Sequence, residues 1–136
     1  MDKFSLTHKR VLVADDLEPV LMAVADLLRG TFEVVHMVSD GRAALEAVLM
    51  LEPDLAVLDI SMPGMSGLDV AKDLKNRATN TKIVFLTVQE DSQIIAACLS
   101  AGAMGYVVKE LMDSDLIPAL NEALAGRVFV SRLSSQ

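Results

Sequence analysis

Disulfide bonding is excluded at the outset, because Cys98 is the only cysteine among 136 residues. A lone thiol fits a reducing compartment. Ile94, Ile95 and Leu99 form an apolar helical stripe with it, so a buried, inert thiol is expected rather than a nucleophile. The two histidines, His8 and His36, stand apart from each other and from Cys98, and the spacing of a His/Cys metal site is missing. No apolar run approaches the ~18 residues of a membrane span. The polar start Met1-Asp2-Lys3-Phe4-Ser5 is no signal peptide. Both absences lead us to expect a cytoplasmic protein with no membrane partner. Positive charge is scarce, 12 Lys and Arg against 19 Asp and Glu, for a formal net charge of -7. A chain this acidic repels nucleic acid unless it carries a basic stripe. The short cluster His8-Lys9-Arg10 reads instead as a solvated N-terminus. Tryptophan is absent and aromatic residues make up 4% of the chain, yet 52% of it is hydrophobic. The apolar content is therefore aliphatic, with the eight methionines read mostly as core filler.

The length is that of one domain with a substantial core. A mean hydropathy of +0.42 suits parallel strands buried on both faces. Strand patterns fall near 11-15, 33-38, 54-59, 83-87 and 105-108, each short and aliphatic without polar alternation. Helical stripes lie between them. Val20, Leu21, Val24, Leu27 and Leu28 recur at helical spacing, with Pro19 near the first turn and Gly30 beyond the last. A second helix runs from about Gly41 to Met50, started by Ser39-Asp40 and stopped before Pro53. Ser66 and Asp69 resemble a capping box for a third, which carries Leu68, Ala71 and Leu74. Asp91 or Ser92 starts the fourth and Gly102 ends it. Asp113 or Ser114 starts the fifth, which places Pro118 in or near its first turn, and Gly126 closes it. Five successive βα units imply right-handed crossovers and a parallel sheet with helices on both faces. The expected division is an N-terminal extension over 1-9, a domain over 10-126, and a tail or linker over 127-136 whose last residues, from Ser131, read as mobile.

Chemistry-bearing residues close these strands. Asp15-Asp16 follow Val11-Leu12-Val13-Ala14, Asp59 ends Leu55-Ala56-Val57-Leu58, Thr87 ends Ile83-Val84-Phe85-Leu86, and Lys109 ends Tyr106-Val107-Val108. In an open α/β sheet, ligands bind outside the carboxyl ends of the strands, which is where all of these fall. Taken singly, the acid pair reads equally well as a helix N-terminal feature, Thr87 as an ordinary strand end and Lys109 as a solvated lysine. Three carboxylates together repel one another and are costly without a hard cation. Mg²⁺ takes oxygen ligands and is usually completed by phosphate oxygens. With Mg²⁺ on Asp15 and Asp16, Asp59 can attack phosphorus as a carboxylate nucleophile, Lys109 can meet the phosphoryl oxygens and Thr87 can donate a hydrogen bond.

The joint pattern resembles the receiver domain of two-component response regulators from about Arg10 to Gly126. The matching residues are Asp15-Asp16, Asp59 with Met62-Pro63-Gly64-Met65-Ser66-Gly67, Thr87, Tyr106 and Lys109. The resemblance implies a flavodoxin/CheY-like doubly wound sheet of five parallel strands in order 2-1-3-4-5 with five helices. It also implies phosphorylation of Asp59 by a histidine kinase or phosphotransfer protein, and Mg²⁺ dependence. Asp15, Asp16, Asp59 and the backbone carbonyl of Ser61 would be the metal ligands, and Thr87 with Tyr106 the switch. The stretches Ala101-Gly102-Ala103-Met104-Gly105-Tyr106 and Ala125-Gly126-Arg127-Val128-Phe129-Val130-Ser131 resemble the NarL/LuxR subgroup, in which a helix-turn-helix DNA-binding domain follows. Two departures stand out. Many receivers have proline after the lysine, often across a cis bond, where this chain has Glu110; a cis bond there would cost about 2.5–4 kcal/mol. Many have a small residue after the switch hydroxyl, where this chain has Val88, whose bulk would narrow access to the phosphoryl group.

The expected function is a phosphoacceptor switch, not a metabolic enzyme, whose own chemistry is self-phosphorylation and slow autodephosphorylation. A haloacid-dehalogenase-type phosphatase also uses a strand-end Asp and Mg²⁺, but it wants a second Asp two residues on, where this chain has Ser61. A pseudo-receiver that only binds partners need not keep the acids. Ten residues after Gly126 are too few for a DNA-binding domain. The chain is thus read as a receiver excised from a longer transcriptional regulator, touching DNA only through that absent domain, with a stand-alone receiver as the alternative. A homodimer through the fourth helix, fifth strand and fifth helix is a further expectation.

Overall fold

In the computed structural model, which describes residues 8–133, a parallel sheet in the order β2-β1-β3-β4-β5-β6 is flanked by helices on both faces. The strands are β1 Arg10–Ala14, β2 Glu33–Val38, β3 Leu55–Leu58, β4 Lys82–Thr87, β5 Gly105–Val108 and β6 Phe129–Val130. The helices are α1 Glu18–Leu28, α2 Gly41–Leu51, α3 Gly67–Asn76, α4 Ser92–Ser100 and α5 Met112–Leu124, with a 3-10 turn at Lys109–Leu111. Most of the N-terminal extension expected over 1-9, and the end of the tail, lie outside the described residues.

Alternation along each inner strand sorts the core into two layers. Leu12, Ala14, Ala56, Leu58, Phe85, Tyr106 and Val108 face α2, α3 and α4, where they meet Ala44, Val48, Val70, Leu74 and Cys98. Val11, Val13, Leu55, Val57, Val84, Leu86 and Val107 face α1 and α5, where they meet Val24, Leu28, Leu116 and Leu120. Both faces are apolar, which is why the strands read as continuous hydrophobic runs. Burial pushes the Cys98 thiol up to about 11, so it stays protonated and inert, as expected.

Caps set where three helices begin. The Asp40 carboxylate accepts from Ala43 N at 2.8 Å, the Ser66 hydroxyl from Asp69 N at 3.0 Å, and the Asp91 carboxylate from Gln93 N at 2.7 Å. Gly102, at φ +96°, follows α4 in the left-handed region.

Four expectations need correction. The sheet has six strands, not five. Gly126, at φ +79°, turns the chain back after α5, and Phe129–Val130 pairs with β5. A fifth strand at the sheet edge would present unpaired amides and carbonyls, and this short strand satisfies them. The residues that follow, expected as a mobile tail, pack as well: Ser131 and Leu133 are buried. Pro118 lies inside α5, well past its first turn, because the turn at Lys109–Leu111 feeds directly into the helix and starts it early. Its missing N–H removes the donor the Ser114 carbonyl would otherwise receive, and the ring stays on the exposed side. Finally, Met22, Met37 and Met50 are exposed rather than core filler. Strand β2 is an edge strand with no fully buried residue, unlike the inner four. Every peptide bond among the described residues is trans, Lys109–Glu110 included.

Candidate functional site

Strand ends carry the polar residues to one rim because the ladders continue one residue past β1 and β3. Asp15 N donates to Val38 O at 3.1 Å, and Asp59 N donates to Ala14 O at 3.0 Å. These bonds hold the two carboxylates on rigid backbone. Asp15 and Asp59 are buried while Asp16 is exposed, and ligand oxygens of all three lie within 4.8 Å of one another.

Lys109 reaches into this cluster from the end of β5. Its Nζ lies 2.7 Å from Asp15 Oδ2 and 3.1 Å from Asp59 Oδ2. The second oxygens are tied to backbone: Asp15 Oδ1 accepts from Leu17 N at 2.9 Å, and Asp59 Oδ1 from Ile60 N at 2.7 Å. Buried Asp15 Oδ2 has Lys109 as its ion-pair partner at 2.7 Å, without the alignment of an ideal hydrogen bond. Burial raises the Asp15 carboxyl above its ordinary value, despite the opposing pull of Lys109 and the Leu17 amide, and the neighbouring Asp59 adds to the rise. Burial alone would lower the Lys109 ammonium; the Asp15 and Asp59 carboxylates outweigh it and raise the group.

One ammonium against three carboxylates leaves the rim electronegative. Hard oxygen donors, two of them buried and one of those lacking an aligned donor, fit a small divalent cation such as Mg²⁺. Removing a ligand would weaken the site while relieving repulsion. Asp16→Ala is accordingly expected to lower Mg²⁺ affinity by about tenfold or more, with the metal-free protein equally or more stable. Thermal unfolding with and without Mg²⁺ reads both quantities. A less stable metal-free variant with wild-type Mg²⁺ affinity would make Asp16 a structural residue.

Thr87, the last residue of β4, is buried beside Val108 in the sheet register, and its Oγ1 accepts a long 3.4 Å bond from Gln89 N. Tyr106 is fully buried, and its hydroxyl donates to Gln89 O at 2.8 Å. Burial pushes its phenol well up. Ser61 is exposed in the loop after β3, where its Oγ accepts from Gln89 Nε2 at 3.0 Å. Val88 is 70% exposed next to Thr87.

Gln89 bridges the loops after β3 and β4 and anchors Tyr106, a role that sequence reading misses because its partners are distant in the chain. The close approach at Gly67 is missed as well. A Cβ on Gly67 would sit 2.0 Å from Asp59 O, and one on Gly41 would sit 1.9 Å from Met65 O. The Met62–Gly67 stretch signals a turn, but nothing in it says which backbone the glycine touches.

Residues 11–121 match the family model for the response regulator receiver domain. Relatives include the transcriptional regulatory protein PdtaR of Mycobacterium tuberculosis, 36% identical over 91% of this chain and 60% of that protein. The nitrate/nitrite response regulator protein NarL of Escherichia coli is 32% identical over 89% and 57%. The chemotaxis protein CheY of Thermotoga maritima is 32% identical over 84% and 96%. Among solved structures, the isolated REC domain of RcsB from Salmonella enterica serovar Typhimurium, in the presence of phosphomimetic BeF3-, superposes with a TM-score of 0.84. It is 27% identical, covering 93% of this chain and 95% of that one. The chain spans about three-fifths of the length of PdtaR and NarL.

Proposed function

The chain belongs to the response regulator receiver domain family, and we propose that it works as a phosphorylation-operated switch with Asp59 as the phosphoacceptor. The observation that carries this reading is Lys109 Nζ lying between the buried Asp15 and Asp59 carboxylates, at 2.7 and 3.1 Å. An ammonium there is poised to leave the carboxylates for a phosphoryl group attached to one of them.

Asp15, Asp16, Asp59 and the Ser61 backbone carbonyl would hold Mg²⁺, which when bound neutralises the cluster toward an incoming phosphate dianion. An oxygen of Asp59 attacks phosphorus; the donor's P–O or P–N bond breaks and its electron pair leaves with the donor. The product is an acyl phosphate. Lys109 then pairs with a phosphoryl oxygen and Thr87 donates a hydrogen bond to another. The donor is a histidine kinase or phosphotransfer protein, and the setting is the cytoplasm. Incubation with acetyl phosphate and Mg²⁺, followed by intact-mass analysis, should show one added phosphoryl group, abolished by chelation of the metal. No adduct from acetyl phosphate or from any small phosphodonor would overturn the reading.

Lys109→Ala is expected to keep phosphorylation while losing the conformational response. An unchanged wild-type pattern of amide exchange on phosphorylation would remove Lys109 from the transducing role.

The output reading is transcriptional: the α4, β5 and α5 face, driven by Thr87 and Tyr106, controls a homodimer or a DNA-binding partner domain. The second reading is a receiver whose output runs through protein contacts instead of DNA. Sedimentation with and without beryllofluoride separates them, since phosphomimetic-dependent dimerisation supports the first.

A further inference from the structure

The outer edge of β5 is taken up by the chain after α5. Phe129 N donates to Met104 O at 3.0 Å, and Ser131 N donates to Tyr106 O at 2.8 Å. The Val108 amide is then met by a side chain instead of by backbone: it donates to Ser131 Oγ at 3.2 Å. The same hydroxyl donates onward to Asp115 Oδ2 at 2.7 Å, on α5. Ser131 is 2% exposed, and both halves of its hydroxyl are used. Two residues on, Leu133 belongs to the same buried cluster as Tyr106 and Val108.

These contacts fall on β5, which carries Tyr106 and leads directly into Lys109. Val108 is the peptide neighbour of Lys109, and the carbonyl that Ser131 holds belongs to Tyr106. An apolar residue here would leave the buried Val108 amide without its acceptor, which is costly. A serine here does something an alanine would not: it fixes the last amide of β5 against α5.

We propose that Ser131, oriented by Asp115, is a positioning residue for Lys109, and that through it the phosphoacceptor pocket is coupled to the chain that leaves α5. The inference rests on the phosphoacceptor reading given above. Lys109 can exchange its carboxylate partners for a phosphoryl oxygen only from a defined backbone position, and the Val108–Ser131–Asp115 relay defines it. Coupling of this kind is reciprocal, so occupancy of the pocket must alter the hold of β6 on β5.

Beryllofluoride with Mg²⁺ is the probe, applied to the wild type, Ser131→Ala and Asp115→Ala, with hydrogen exchange read at single amides. Ser131→Ala is expected to speed Val108 exchange by about tenfold, one hydrogen bond's worth. It should also weaken the beryllofluoride midpoint by about fivefold. Asp115→Ala should move both readings the same way and less far; it supplies the same two readings where Ser131→Ala does not fold. In the wild type, saturating beryllofluoride should change exchange at Phe129 and Ser131. Faster Val108 exchange with an unchanged or tighter midpoint would reduce Ser131 to a structural peg and overturn the inference, as would unchanged Phe129 and Ser131 exchange on saturation. A wild-type protein that binds no beryllofluoride would overturn the phosphoacceptor reading itself, and the inference with it.

Discussion

Asp59→Asn should take up no phosphoryl group from acetyl phosphate and Mg²⁺, while the wild type takes up one. The loss is expected to be complete, because an amide oxygen is a far weaker nucleophile than a carboxylate. Folding should survive, since the side chain keeps its size and Asn Oδ1 can still accept from Ile60 N, as Asp59 Oδ1 does at 2.7 Å. The Asp15 carboxylate would still pair with Lys109, which it meets at 2.7 Å. Intact-mass analysis on the folded variant decides the matter. An adduct of undiminished size on Asp59→Asn would move the phosphoacceptor to another residue.

Gly67→Ala should destabilise the domain by about 3 kcal/mol, at the upper end of overpacking effects. Gly67 opens α3, and its amide donates to Ile60 O at 2.8 Å. A Cβ there would lie 2.0 Å from the Asp59 carbonyl oxygen and 2.9 Å from its carbon. Neither partner can yield cheaply. Asp59 N is pinned to Ala14 O at 3.0 Å, and α3 is pinned by Val70, Ala71 and Leu74 in the core. Relief requires α3 itself to move outward, and that displaces the loop carrying Ser61. Gly64→Ala makes the control. Gly64 sits at φ +76°, and a Cβ on it would meet nothing within 4 Å, so the cost there is backbone strain alone, about 1 kcal/mol. Denaturant unfolding and phosphorylation rate should both single out Gly67→Ala. Equal stability losses at the two glycines would show that the approach to Asp59 relaxes freely.

Much of the rim is legible in the order of residues alone. Asp15, Asp59, Thr87 and Lys109 each close a short aliphatic run, and a parallel sheet puts every such end on one side. Strand and helix boundaries are legible for a related reason: buried parallel strands are continuous apolar runs, and Asp40, Ser66 and Asp91 mark helix starts by residue type. The sixth strand is hidden because two residues carry no period. Pro118 points the wrong way because a proline signals a first turn more often than an interior, and the 3-10 turn ahead of α5 has no signature of its own.

Local patterning thus settles the succession of βα units, the two-sided core and the residue types on the rim, since hydrophobic periodicity and turn chemistry act over a few neighbouring residues. The pairings across the chain are settled by tertiary packing instead. Lys109 meets Asp59 across 50 positions, Val108 meets Ser131 across 23 and Tyr106 meets Gln89 across 17. The physical reason is that a buried polar atom takes whichever partner packing brings within reach, and that partner is chosen by how the layers close.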